Sequence, residues 1–303
     1  MNKSFLSFIA AFSIILTASA QDTTELSEIL STNTVKKEYI KSAFKSTRVI
    51  NGHSMEFLGP GSMDVRILHR FDPLNSGINE FFGLDHASMR MGFDFGLERN
   101  LMIGVGRSTL NKELDTYVKW APLSQSTGPG SSPLTIALVG GVTSIMLKDW
   151  PDSAKSGDFK NRIAYYFQTI FGRKFSNAIT LQVTPTYLHT NFPKGGVPAD
   201  QYAIGAGGRF KFSKRMALTL DYFYRVNGRI DNRYDPFSIG VDIETGGHVF
   251  QLHFSNTAGM NERAFITETT GSWGKGEIRF GFNLSRIFQL KGVKSNQISA
   301  VTK

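Results

Sequence analysis

The amino-acid sequence predicts an all-β protein, an antiparallel transmembrane β-barrel of about twelve strands, with fourteen as the alternative. Three observations support this fold class. Runs of about ten residues alternate between apolar and polar side chains, and short turns alternate with long polar connections along most of the chain. After the first twenty residues, no run reaches the roughly 18 apolar residues that a spanning helix needs.

The stretch "HASMRMGFDFGL" at positions 86–97 shows the alternation most clearly. Its odd positions are apolar from Ala87 to Leu97, whereas Arg90 and Asp94 stand at even positions. In a helix, residues two apart lie roughly 200° apart, so the apolar set would surround the cylinder and leave no polar face. The segment is therefore predicted to be a strand. Its length suits the 9–11 residues of a tilted strand that crosses a bilayer.

The first twenty residues have the layout of a secretory signal peptide. Lys3 gives a positive start, residues 5–16 form a short apolar core, and Ala18-Ser19-Ala20 is a small-residue cleavage site. The sequence thus predicts four parts: a signal peptide at 1–20, an N-terminal periplasmic or plug segment at 21–61, the barrel at 62–289, and a C-terminal tail at 290–303.

Twelve strand cores are predicted from the alternation, and an even number returns both ends of the barrel to the periplasm. The long polar connections then lie outside, except that the ten residues 124–133 fall on the periplasmic side. Pro185 lies within a predicted strand and suggests a bulge, because proline cannot donate to the ladder. The predicted cores are 62–71, 86–97, 100–108, 113–122, 134–146, 161–172, 178–189, 202–212, 216–226, 236–244, 248–256 and 276–288.

The segment at 44–58 has two possible roles. Its apolar residues alternate with charged ones, and Asn51-Gly52 is a strong turn signal, so a hairpin in the wall would raise the count to fourteen strands. Alternatively, the segment packs within or across the periplasmic mouth as a plug. In that case we expect Arg48 and Glu56 to meet lumen charges such as Asp94 or Arg66.

Charged residues of the strands are predicted to face the lumen, because an arginine that faces lipid near the midplane costs roughly 2–4 kcal/mol. These side chains either brace the wall as charge pairs or form an ion-selecting pore surface. The lumen-facing candidates are Asp64, Arg66, Arg70, Arg90, Asp94, Lys119, Arg162, Arg209, Lys211, Asp221, Arg225, Asp242, Glu244, Glu277 and Arg279.

Several stretches resemble a known family. "FKSTRVINGHSME" (44–56), "RILHRFD" (66–72), "FFGLDHASMRMGFDFG" (81–96), "IGVGRS" (103–108) and "FGFNLSRIF" (280–288) are similar to the uncharacterised β-barrel family called domain of unknown function 5777. The resemblance spans nearly the whole mature chain and is most specific over 81–108. It implies an outer-membrane barrel of a Gram-negative envelope, and it implies no catalytic residues.

The function predicted from the sequence is a small-solute channel or transporter with a mixed-charge, net basic lumen. The formal net charge is +9, which favours small anionic or polar solutes as cargo. Outer-membrane lipid is the other expected partner; nucleic acid, a metal and a cofactor are not expected. The alternatives are a structural or partner-binding barrel and a hydrolase in the barrel wall. For a hydrolase, a serine would have to meet one of four histidines, His69, His86, His189 and His253.

Overall fold

The chain forms a closed antiparallel barrel of twelve strands in a computed structural model that describes residues 36–147, 158–193 and 195–290. Each barrel strand pairs with the next one along the chain, and the last strand pairs with the first to close the wall. The predicted fold class and the count of twelve are confirmed. Residues 44–58 are not part of the wall, so the fourteen-strand alternative is wrong.

The strand boundaries agree with the predicted cores to within three residues, the largest difference being at the last strand, predicted from 276 and observed from 279. Two short strands outside the barrel are β1 (Glu38–Tyr39) and β6 (Ser126–Thr127). The barrel strands are β2 (Ser62–Pro73), β3 (Ala87–Glu98), β4 (Leu101–Ser108), β5 (Leu114–Leu123), β7 (Thr135–Ser144), β8 (Ile163–Lys174), β9 (Ile179–Thr190), β10 (Asp200–Lys211), β11 (Met216–Arg225), β12 (Phe237–Thr245), β13 (His248–Ser255) and β14 (Arg279–Gln289).

The two faces of the wall differ as the alternation requires. In β3 the even residues from Arg90 to Gly96, including Asp94, are buried inside the barrel, whereas odd residues such as Met91 and Leu97 lie outside. The outer face carries exposed apolar side chains such as Phe167 and Val118 all around the barrel. An apolar exterior around a polar interior is the arrangement of a barrel in a bilayer.

The connections also differ between the two ends of the barrel. At the end where β2 begins and β14 finishes, four of the connections between strands are tight turns; we call this the short-turn end. The opposite, long-loop end carries most of the long connections, and in the described residues four connections at this end contain short 3-10 helices (Leu74–Ser76 and Ile78–Gly83 in the first). By the usual asymmetry of such barrels, the short-turn end faces the periplasm.

The long connection at 124–133 has a structural explanation. Its strand β6 pairs with β1, which precedes the segment at 44–58 in the chain. The amide of Ile40 donates to the carbonyl of Gln125 (3.0 Å), and the Lys37 ammonium donates to the carbonyl of Gly130 (2.8 Å). The extra residues at the short-turn end therefore hold the N-terminal segment where it approaches the barrel.

The expected bulge at Pro185 is wrong. The register of β9 continues unchanged past Pro185, which lies opposite Ile204 with its ring on the outer face. A register shift does occur in β5 between Trp120 and Leu123, around Pro122. Pro122 and Pro185 are both tolerated because the pairing with a neighbouring strand is interrupted at each of them, β7 beside Pro122 and β8 beside Pro185.

The predicted signal peptide at 1–20 and the residues of the predicted tail after 290 lie outside the described residues, as does most of the predicted connection at 148–161. Within the described ranges, no helix has the length and apolar character needed to cross a membrane.

Candidate functional site in the lumen

Ten of the fifteen candidate residues lie buried inside the barrel, and several form pairs along the wall. Arg90 donates to Asp115 across β3 and β5, through Nε at 2.8 Å and Nη2 at 2.5 Å. Arg66 donates to Asp64 at 2.7 Å, and Arg225 lies 3.2 Å from Asp235. The ten are Asp64, Arg66, Arg70, Arg90, Asp94, Lys119, Arg209, Asp221, Arg225 and Asp242.

The other five candidates lie at the ends of the barrel and are half-buried. Arg162 precedes β8 and its guanidinium meets the carbonyl of Leu147 at the long-loop end. Lys211 ends β10, and Glu244 accepts a hydrogen bond from Lys45 (2.7 Å) at the short-turn end. Glu277 accepts from the amide of Ser272 (2.8 Å), and Arg279 pairs with Asp72 (2.8 Å). The sequence predicted only that these five face the lumen, and alternation alone does not give depth along the barrel.

Residues 43–58, which we call the plug, fill the lumen from the short-turn end. Their backbone turns back on itself at Asn51-Gly52: the amide of Val49 donates to the carbonyl of Gly52 (2.8 Å), and that of Ser54 to the carbonyl of Thr47 (3.0 Å). Gly52 lies so close to the Phe223 ring that a Cβ atom there would come within 2.7 Å of it. The predicted hairpin thus exists, but it lies inside the barrel.

The wall binds the plug through polar side chains that match its backbone groups. Gln251 donates to the carbonyl of Val49 (2.5 Å), and Asn283 donates to that of Ile50 (3.1 Å). The carboxylate of Asp221 accepts hydrogen bonds from the amides of Asn51 (2.7 Å) and Gly52 (2.9 Å). Unpaired backbone groups in a dry interior are costly, so these contacts define one docked position of the plug.

A second set of plug contacts is apolar. Phe44, Val49, Met55 and Leu58 are almost completely buried. They join one cluster with lumen-facing wall residues that include Met102, Tyr117, Val139, Tyr166 and Ile170. Full burial of such a side chain contributes about 1.5–3 kcal/mol. The apolar contacts therefore supply affinity for the docked position that the polar contacts define.

Residues 256–272, which we call the inserted loop, fold into the lumen from the long-loop end. They contain a short helix, α1 (Glu262–Thr267), all of whose residues are buried. The side chain of Asn261 caps α1 by accepting from the amide of Ala264 (2.9 Å). Phe265 packs on Phe223 of the wall with ring centroids 5.0 Å apart. The polar composition of residues 256–275 predicted an outer loop, which is wrong, because helix α1 buries apolar and charged groups inside the barrel.

The plug and the inserted loop meet at an ion pair. Nη1 of Arg48 donates to Oε1 of Glu262 at 2.8 Å, and neither side chain is more than 2% exposed. Nε2 of His53 lies 3.3 Å from the same carboxylate oxygen and 3.3 Å from the hydroxyl of Tyr166. Burial, together with the nearby Arg48 and Lys119, holds the pKa of His53 well below its usual value, so the ring is neutral when the plug is docked. The two segments thus touch at the centre of a filled lumen.

The expected partners of the plug charges were wrong. Arg48 pairs with Glu262 of the inserted loop and not with Asp94. The residue that meets Asp94 (2.9 Å) and Arg66 (2.5 Å) is Thr47. The carboxylate of Glu56 instead accepts from the amide of Phe44 (3.2 Å), and burial raises its pKa.

Four further charged residues of the lumen were missed by the sequence analysis. Asp115 shares the odd parity of Lys119 in β5, so the pattern contained the signal for it. Glu113, Glu262 and Arg263 lie outside the strands, and Arg263 binds both Glu113 and Glu268. For α1, the helix-capping Asn261 before Glu262 was the available signal.

The four candidate histidines are spread over different parts of the barrel, and within the described residues none of them forms a hydrogen bond with a serine. His69 and His189 point outward from the wall, whereas His253 is buried inside it. His86 lies at the long-loop end, 3.6 Å from Glu80, and both are exposed. Among residues 36–147, 158–193 and 195–290, no group of three or more metal-ligating side chains is close enough to hold an ion.

The model of a protein family described as "Membrane bound beta barrel domain (DUF5777)" matches residues 44–288. The chain belongs to this family. The match includes the plug as well as all twelve barrel strands, so the resemblance seen in the sequence is confirmed. No curated protein matches the sequence.

Solved structures similar to this chain include outer-membrane proteins. The NanC porin is 8% identical, with a TM-score of 0.46 over 74% of this chain and 98% of its own. The KdgM porin is 9% identical, with a TM-score of 0.44 over 75% of this chain and 99% of its own. Omp33 of Acinetobacter baumannii is 7% identical, with a TM-score of 0.41 over 75% of this chain and 98% of its own.

Proposed function

We propose that this protein is an outer-membrane channel or transporter for small polar or anionic solutes, exported by its signal peptide and held closed by the plug and the inserted loop. The observation that carries the proposal is the polar interior of the wall. Twelve strands enclose a lumen wider than that of eight-stranded barrels, which side chains alone fill. Here a separate segment fills that space, so its displacement would leave a polar path.

Three wall cations bind the plug through its neutral oxygen atoms. Within the described ranges, Arg70, Lys119 and Arg209 form no ion pair with a carboxylate. Each donates instead to an oxygen atom of the plug: Arg70 to Oδ1 of Asn51 (2.5 Å), Lys119 to the carbonyl of Glu56 (2.6 Å) and Arg209 to the carbonyl of Ala43 (3.5 Å).

Displacement of the plug would leave these three cations facing the lumen. The wall carboxylates Asp221 and Asp242 also lack a cation within ion-pair distance, and Glu262 of the inserted loop would lose Arg48 with the plug. Three cations and three carboxylates then balance, so these groups suit polar solutes and predict little discrimination between small anions and cations.

The alternative function is a non-transporting structural or partner-binding barrel. The filling of the lumen from both ends favours it, since a permanent core needs no path. The two functions differ in what the plug does: a gate leaves a folded barrel when it is removed, whereas a core segment does not.

The experiment that tests the proposal compares the intact chain with a variant that lacks residues 22–58, both in planar bilayers. The intact protein should be closed most of the time, and the shortened barrel should conduct steadily. Its reversal potential in a salt gradient then measures any preference for anions. A change in electrophoretic mobility when the detergent sample is heated shows that the barrel has formed. A folded barrel that stays silent even when residues 256–272 are also removed would contradict the channel, and a chain that forms no barrel on loss of residues 22–58 would favour the structural alternative.

A further inference from the structure

A groove of about 830 Å³ runs along the outer face of the barrel. Its floor is the β10 surface at Ala206 and Gly208, where the small side chains leave space. Leu181 and Val183 of β9 form one side, and Leu220 and Tyr222 of β11 form the other, as the strand register requires. The groove is therefore a gap in the apolar wall and lies at the depth of the membrane-spanning strands.

Aromatic side chains close the groove at the long-loop end. Tyr234, Phe237 and Trp273 line this end, and the Trp273 ring lies 5.1 Å from that of Phe237. The indole Nε1 donates to the carbonyl of Phe237 (3.1 Å), which fixes the ring at the end of the wall. Tryptophan and tyrosine favour the depth at which lipid head groups meet hydrocarbon, so the groove ends near the head groups.

Cationic groups lie at the same end. The Lys275 ammonium is 5.7 Å from the centroid of the Tyr234 ring, and Lys275 is exposed. Arg229 lies 3.1 Å from Asp235, which lines the groove and also binds Arg225 at 3.2 Å. One carboxylate is thus shared by two guanidinium groups, so the head-group end of the groove has an excess of positive charge. Glu277 carries one negative charge at this end, so Lys275 and the two guanidinium groups exceed Asp235 and Glu277 by one positive charge.

We propose that this groove binds one acyl chain of an anionic, phosphate-bearing membrane lipid, with the phosphate beside Lys275 and Arg229. The apolar floor accepts the chain, and each buried methylene adds to the affinity. The cations select the head group, because phosphate accepts charge-assisted hydrogen bonds from lysine and arginine. The proposal needs only the membrane-spanning barrel and is independent of the channel function.

Filling the groove provides the first test. Gly208→Leu places a side chain on the floor, where a Cβ already meets Phe210 at 3.0 Å and Leu181 at 3.4 Å. The matched control is Gly140→Leu, the same change on the outer face of β7, where the nearest atom lies at 3.5 Å in Phe167. Ala206→Leu is a second groove variant in case Gly208→Leu does not fold.

The intact protein and each variant are mixed in detergent with phosphatidylglycerol or with diacylglycerol, and bound lipid is measured by native mass spectrometry. The intact chain and Gly140→Leu should each retain one phosphatidylglycerol, and the groove variants should bind it roughly tenfold more weakly, because they displace a few methylenes. Lys275→Gln should weaken the binding of phosphatidylglycerol and leave that of diacylglycerol unchanged.

Three outcomes would overturn the proposal. Equal lipid retention by Gly208→Leu, Ala206→Leu and the intact chain would show that the groove is not the binding site. Absence of retained lipid would exclude a specific site altogether. If the intact protein is a dimer and the groove variants are monomers, the occupant of the groove is a second copy of the chain.

Discussion

The ion pair between Arg48 and Glu262 should control how tightly the plug is held. Glu262→Gln keeps the shape of the side chain but removes its negative charge, so the buried Arg48 guanidinium has only neutral acceptors, the amide oxygen of the new glutamine and the carbonyl of Asn51 (2.5 Å). Removing one partner of a buried ion pair costs about 3–5 kcal/mol. Because Asn51 remains as an acceptor, we take the lower end of this range, about 3 kcal/mol, which corresponds to a factor of about 100 in the docking equilibrium.

Hydrogen exchange of plug amides measures this equilibrium. The amides of Val49 and Ser54 are bonded within the hairpin and should exchange about 100-fold faster in Glu262→Gln, whereas wall amides should keep their protection. The double variant Arg48→Met with Glu262→Met should restore slow exchange, because apolar side chains of similar volume can replace a buried pair.

The control for this prediction is a pair at the surface. Lys45 and Glu244 lie 2.7 Å apart with side chains 21% and 41% exposed, so Lys45→Gln should cost no more than about 1 kcal/mol. Unchanged exchange in Glu262→Gln would refute the role of the buried pair. An equal effect of Lys45→Gln would also refute it, since burial would then make no difference.

Three further predictions follow from the wall, the loops and the plug histidine. Phe93→Arg places a charge in hydrocarbon and should lower the free energy of folding into lipid by about 2–4 kcal/mol relative to Phe93→Leu, measured by refolding into vesicles. A protease added to intact cells should cut at the exposed residues 74–83 and spare the buried residues 256–272; cleavage confined to the second stretch would place the inserted loop outside. Because the pKa of His53 is lowered in the docked plug, only the released plug takes up a proton as pH falls below about 6.5, so docking should weaken there. Glu56, whose pKa is raised, makes docking stronger as the pH falls, and so opposes the effect of His53. Hydrogen exchange of the plug amides is therefore measured against pH in Glu56→Gln, with and without His53→Gln. The same pH dependence in both variants would contradict the role of His53.

The wall could be predicted from the sequence because lipid and lumen impose opposite demands on neighbouring residues. In β3, Arg90 and Asp94 occur in step with an apolar row, and only a two-residue period satisfies both. The same constraint placed the other strands within three residues of their observed bounds. It gave no depth along the strand, so it did not indicate that Arg162 and Glu277 lie at the long-loop end, just before β8 and β14.

The contents of the lumen were harder to predict because they depend on contacts that are distant in the chain. Asn51-Gly52 indicates a hairpin, but the turn signal is the same in a wall and in a plug. Arg48 meets Glu262 across a separation of 214 residues, and nothing local in either segment indicates the other. The inserted loop has a polar composition like that of a solvated loop. Its position inside the barrel therefore could not be predicted from its own residues, because it depends on the space enclosed by the twelve strands.

The most direct test of the central claim, that the plug closes a conducting lumen, is to lock the plug in place. The chain has no cysteine, so Asn51→Cys with Ser238→Cys introduces one pair, at positions whose side chains lie 2.9 Å apart, Nδ2 to Oγ. A short thiol cross-linker that reductant cleaves joins them, and conductance is recorded in a planar bilayer with Glu262→Gln added to weaken docking. We expect no openings while the link is intact and frequent openings after reduction. Equal conductance before and after reduction would contradict the claim that the plug closes the lumen.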